Sequence, residues 1–119
     1  MYRRLNCTID NSKRGETLEL PRGQVLLLEM HITNRDGTVY DLSTATVTVR
    51  VFHNQTKIKE VTATSSAAGV RLGVASATIA LARSVEPGSY WFEVWLTDNS
   101  VANRIYPATS LLLLTTTAP

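Results

Sequence analysis

A single cysteine, Cys7, is present, so no disulfide can form within the chain and the inter-sheet bridge of secreted antibody domains is excluded. Folding in a reducing cytoplasm is the expectation that follows. Charge is also scarce: 18% of residues are charged, against about 25% in an average soluble domain. Twelve basic residues stand against ten acidic ones, for a net charge of +2, and no block of one sign occurs. A nucleic-acid footprint needs such a block, so none is expected. Long apolar runs are missing too. Runs such as residues 25–28 and 111–114 are far below the roughly 20 needed to cross a bilayer. The basic start Met1-Tyr2-Arg3-Arg4 is followed by no apolar stretch of the about 7–15 residues that a secretory signal needs. Neither membrane insertion nor export by that route is expected. Low-complexity linkers and internal repeats are absent as well, which leaves one domain over residues 1–119.

What is abundant is sheet-forming material: 44% of the residues are hydrophobic, and Thr, Val, Leu, Ala and Ser are plentiful. The pattern is a series of short alternating segments. Leu5, Cys7 and Ile9 mark a first strand, and residues 17–20 a second. Over 25–33, Leu26, Leu28, Met30 and Ile32 share one face, and Asn34-Arg35-Asp36-Gly37 then turns the chain before a short strand at Val39 and Tyr40. Over 45–52, Val47, Val49 and Val51 point one way. His53-Asn54-Gln55 makes a turn, 57–63 a strand and 65–69 a loop. Residues 70–81 read as a strand with Ala75, Ala77, Ile79 and Leu81 inward. After a turn at 84–88, strands follow at 90–97, 101–106 and 110–116, and residues 114–119 are expected to fray. About 7–9 short strands with regular turns predict an all-β, immunoglobulin-like antiparallel β-sandwich, with a small barrel as the alternative.

Reactive constellations are hard to assemble from this chain. There is no G-x-S-x-G elbow, no phosphate-cradling glycine loop and no H-E-x-x-H helix. His31 and His53 fall on different strands without a cysteine or carboxylate cluster at metal-ligand spacing. Asp36 and Asp41 suit turns, Glu29 and Glu93 lie on polar parities, and Cys7 has the parity of a buried thiol. No catalytic residue, metal or cofactor is expected, and the chain is not expected to be an enzyme.

The segment 90–97 is different because both of its faces are apolar. Tyr90, Phe92, Val94 and Leu96 form one, while Trp91 and Trp95, the two tryptophans of the chain, sit on the other. If one face packs the core, the second must be covered or exposed. The consecutive leucines at 111–114 likewise suit a strand covered on both sides. Trp91, Trp95, Leu112 and Leu114 are therefore the candidate interface residues. An aromatic platform of Trp91 and Trp95 in a carbohydrate-binding module is the alternative of another class.

Three stretches carry a resemblance: Arg14-Gly15-Glu16-Thr17, residues 25–33, and the run from Asp36-Gly37-Thr38-Val39-Tyr40-Asp41-Leu42-Ser43 to Val51. Together with the later Pro87-Gly88-Ser89-Tyr90, this resembles the immunoglobulin-like N-terminal domain of tailed-phage upper baseplate proteins and of related tail-fibre and virion proteins. The resemblance implies a virion protein made in the host bacterial cytoplasm. Its partners would be other virion proteins (baseplate, tail, fibre or major capsid subunits) in a symmetric multi-copy assembly. The chain ends at Pro119, without the long extension that carries a receptor-binding head in upper baseplate proteins, so a stand-alone component is expected. Capsid decoration on the phage head is the competing location.

Overall fold

A computed structural model describes the backbone of residues 2–10, 17–21, 23–80, 86, 88–106 and 111–115, and all their side chains except those of 21 and 111–115. Among these residues nine strands and one short helix follow in the order β1 (Tyr2–Thr8), β2 (Thr17–Pro21), β3 (Val25–Thr33), β4 (Ala45–His53), β5 (Thr56–Thr62), α1 (Ala67–Arg71), β6 (Val74–Ala80), β7 (Gly88–Asp98), β8 (Val101–Tyr106) and β9 (Leu111–Thr115). They build a sandwich of a three-stranded sheet, β1-β3-β6, and a larger sheet ordered β2-β9-β7-β4-β5, with β8 also paired to β7.

Period-two alternation places the core. In β3, Leu26, Leu28, Met30 and Ile32 are buried; in β4 the inward set is Val47, Val49 and Val51, and in β6 it is Ala75, Ala77 and Ile79. Leu5 and Cys7 of β1 join them, as do Tyr90, Phe92, Val94 and Leu96 of β7. A bulge opposite Val94 and Trp95 sets two consecutive β8 residues, Ile105 and Tyr106, into the interior. There the Tyr106 ring stacks on Phe92 with centroids 5.6 Å apart.

Strand direction is not encoded in alternation, and two pairings are parallel, β1 with β3 and β2 with β9. Strands β8 and β9 share one edge of β7: β8 lies opposite residues 94–98 and β9 opposite 88–91. They thus act as two halves of an interrupted strand.

Turn chemistry follows the expected positions with two differences. The two-residue hairpins β4–β5 and β7–β8 place Asn54, Gln55, Asn99 and Ser100 all at positive φ, which matches the twist of the flanking strands. At the 34–38 turn, Asn34 N–H donates to the Thr38 carbonyl at 2.7 Å, and Asp36 accepts from the Thr38 backbone N–H at 3.0 Å. Beyond it Val39 makes an isolated bridge to Thr33, not a strand; Tyr40 N–H donates to the Ile32 carbonyl at 3.0 Å while its hydroxyl reaches Asp98. The second difference is α1, where a loop and then a strand from Val70 are expected. Ser66 caps it, its Oγ accepting from Gly69 N–H at 2.9 Å, and two alanines propagate the turn. Gly73 stops it at φ +71°. A Cβ there would lie 2.4 Å from the Ile32 carbonyl oxygen, so only glycine fits. The sequence expectations for Leu81, for the 84–88 turn apart from Glu86 and Gly88, and for residues 116–119 fall outside the described residues. The backbone of Leu114 and Thr115 belongs to β9.

Candidate functional site

The outward parity of the larger sheet is where the unusual chemistry collects. Because Phe92, Val94 and Leu96 point inward, Trp91, Glu93 and Trp95 must point outward, and the register with β4 sets Phe52 opposite Trp91, Arg50 opposite Glu93 and Thr48 opposite Trp95. Two rows run side by side across the strands.

The first row is ionic. Lys57 Nζ lies 2.8 Å from Glu60 Oε2, Arg50 Nε lies 3.0 Å from the same oxygen, and Arg104 Nη1 lies 3.5 Å from Glu93 Oε2. With Arg50 and Glu93 opposed in register, the charges alternate across β5, β4, β7 and β8. Hydrogen bonding to Lys57, then the charges of Lys57 and Arg50, holds the Glu60 carboxyl below its ordinary value. Trp95 is built into this row. The Arg50 guanidinium sits 4.8 Å from its ring centroid, and its indole N–H donates to Glu93 Oε1 at 2.8 Å.

The second row is apolar. Trp91, 42% exposed, stands between half-buried Phe52 on β4 and the position of Leu111 on β9. No described hydrogen bond or cation engages the Trp91 ring. Leu112 pairs with Tyr90 and Leu18, and Leu114 with Gly88 and Leu20, whereas Leu111 pairs with Trp91 and Thr17. Tyr90, Leu18 and Leu20 are buried. Positions 112 and 114 therefore have the core-facing parity and 111 and 113 the outward one; the side chains of 111–115 lie outside the described residues.

Other residues singled out in the sequence are placed as follows. Cys7 is fully buried, and burial pushes its thiol up to about 12. Asp36 accepts from Thr38 and Asp41 from Ser43 N–H at 2.9 Å, which lowers both carboxyls below their usual range. The His53 ring lies tilted against Tyr90 with centroids 4.7 Å apart, while His31 Nε2 lies 3.3 Å from Glu29 Oε2 on the opposite sheet. Among the described residues no three His, Cys, Asp or Glu side chains converge as metal ligands would. Arg50, Phe52, Glu60 and Arg104 are members of the face that sequence reading did not pick out. The signal for Phe52 was its parity with Thr48 and Arg50 in an alternating strand.

No family profile matches the sequence, and no curated protein matches it. The fold is shared with a phage domain. Across 96% of this chain and 98% of the other, the structure is similar to the N-terminal domain of phage TP901-1 ORF48, with a TM-score of 0.58 at 9% sequence identity. That likeness is one of fold.

Proposed function

We propose that this chain is a non-enzymatic bacteriophage virion structural protein, an assembly and attachment module of tail, baseplate or fibre. The observation that carries the docking role is the apolar row at half-exposed Trp91 and half-buried Phe52 on the larger sheet. Exposed aromatics of this kind are what subunit contacts use, since they supply large contact area at small entropic cost. The phage setting is supported by the shared fold with the phage domain and by the Asp36-Gly37-Thr38 and Pro87-Gly88-Ser89-Tyr90 segments. Multiple copies related by the particle's symmetry are the arrangement in which such a face would be occupied.

Capsid decoration is the second location, distinguished only by where the chain resides. The two-tryptophan sugar platform is weakened by Arg50, which already occupies a face of Trp95. The test is cryo-electron microscopy of virions of the phage that encodes the chain, with wild-type and Trp91→Glu forms. Density at the tail with loss of the variant is the expected result. Density on the head moves the protein to decoration, and particles that lack it altogether overturn the virion role.

A further inference from the structure

The core-facing parity of β7 and β8 does not stay apolar to its end. Leu96 is buried, yet its partner in register, Asn103, is exposed, and one step further the pair Asp98 and Val101 faces the same way. Among the described residues the smaller sheet ends near there, with β1 stopping at Thr8. The sandwich therefore gapes, leaving a cleft of about 290 Å³ lined by Ile9, Tyr40, Leu96, Asp98, Asn99, Val101 and Asn103. A cleft at the end of a sandwich, framed by loops on a rigid scaffold, is a usual place for recognition.

From these residues we infer that the cleft is a binding site for a neutral polyhydroxylated ligand, a single sugar ring or a short polyol. Ile9, Leu96 and Val101 give its lining an apolar part, with Val101 58% exposed, which suits the C–H face of such a molecule. Its walls carry hydroxyl-binding groups. Asp98 is fixed by two hydroxyl donors, Tyr40 at 2.5 Å and Thr44 at 3.0 Å, which hold its carboxyl ionised below the ordinary range. A carboxylate accepts about four hydrogen bonds, and with the Asn99 backbone N–H as a third donor Asp98 keeps room for about one ligand hydroxyl. Asn99 and Asn103 each add a carboxamide with one acceptor and two donor hydrogens, the complement of neighbouring hydroxyls. Anionic ligands are opposed by the Asp98 charge. A calcium ion would need about six to eight oxygens, and this cleft offers one carboxylate already held by hydroxyls.

The site is separate from the tryptophan face, so its failure and that of the docking role are distinguishable. The test is a nitrogen-15 NMR titration of the full chain with glucose, galactose, N-acetylglucosamine and ribitol, each to about 100 mM. Saturable shifts at Asn99, Val101 and Asn103 are expected with at least one probe. The dissociation constant should be on the order of millimolar, as suits a ligand of about a dozen heavy atoms. Asn103→Ala, at an exposed position, should weaken binding about tenfold with no change in melting temperature. No saturable shift with any probe, shifts centred on Trp91 and Trp95, or an undiminished affinity in Asn103→Ala would each overturn the inference.

Discussion

Trp91 and Trp95 lie four residues apart on the same face of the same strand, and their surroundings are opposite. Trp95 has a guanidinium against its ring and a carboxylate on its indole N–H. Trp91 has no such described partners and is 42% exposed. Equal spacing and equal residue type thus separate into one side chain that stabilises its own domain and one that has surface left to offer. The difference comes from the neighbouring strands, which bring Arg50 and Arg104 to one and Phe52 to the other.

The contrast can be broken in graded ways. The largest effect is expected one residue from Trp91, on the inner face. Phe92→Ala should cost roughly 3–5 kcal/mol in urea denaturation, because Phe92 is 2% exposed and stacks on Tyr106. Near-equal costs for Phe92→Ala and Trp91→Ala would show that the face assignment of β7 is wrong. Next, Trp95→Ala should lose about 1–2 kcal/mol through the Arg50 stack and the Glu93 bond, measured the same way. Trp91→Ala should cost less, below about 1 kcal/mol, as suits a half-exposed side chain away from such features.

The smallest effect is one of pH. The Glu60 carboxyl is lowered in the folded chain, so its contribution is complete above the ordinary carboxylate range and is lost as pH falls through the depressed folded value. Acidification below about pH 4 should move the Trp95 indole N–H signal in NMR while that of Trp91 stays in place. Glu60→Gln should diminish the part of that movement that reaches Trp95 through Arg50. Equal movement of both signals would mean that the ionic row does not single out Trp95.

Much of the architecture was readable from alternation alone. The inward sets of β3, β4 and β7 follow directly from period two, and the two-residue hairpins sit where Asn54 and Asn99 allow positive φ. Strand order and direction were not readable, because they depend on pairings between residues far apart, such as Tyr2 with Leu27 and Thr17 with Leu111. Helix α1 was missed for a local reason. Ser66 and the following alanines suit a loop as well as a capped turn, and what decides is Gly73 packed against the Ile32 carbonyl. For the candidate face, the tryptophans were visible in sequence, but their inequality was not: Arg50 and Phe52 reach them only through the β4–β7 register. Leu112 and Leu114 carry the signal of a doubly covered strand, and register pairs them with Tyr90 and Gly88 of β7.

Oxidative footprinting of the two tryptophans, read by mass spectrometry in the free chain and in purified virions of the encoding phage, is the most direct test of the docking face. Trp91 should react readily when free and become protected in the particle. If Trp91 oxidises equally in both, no partner covers the row and the proposed docking face is wrong.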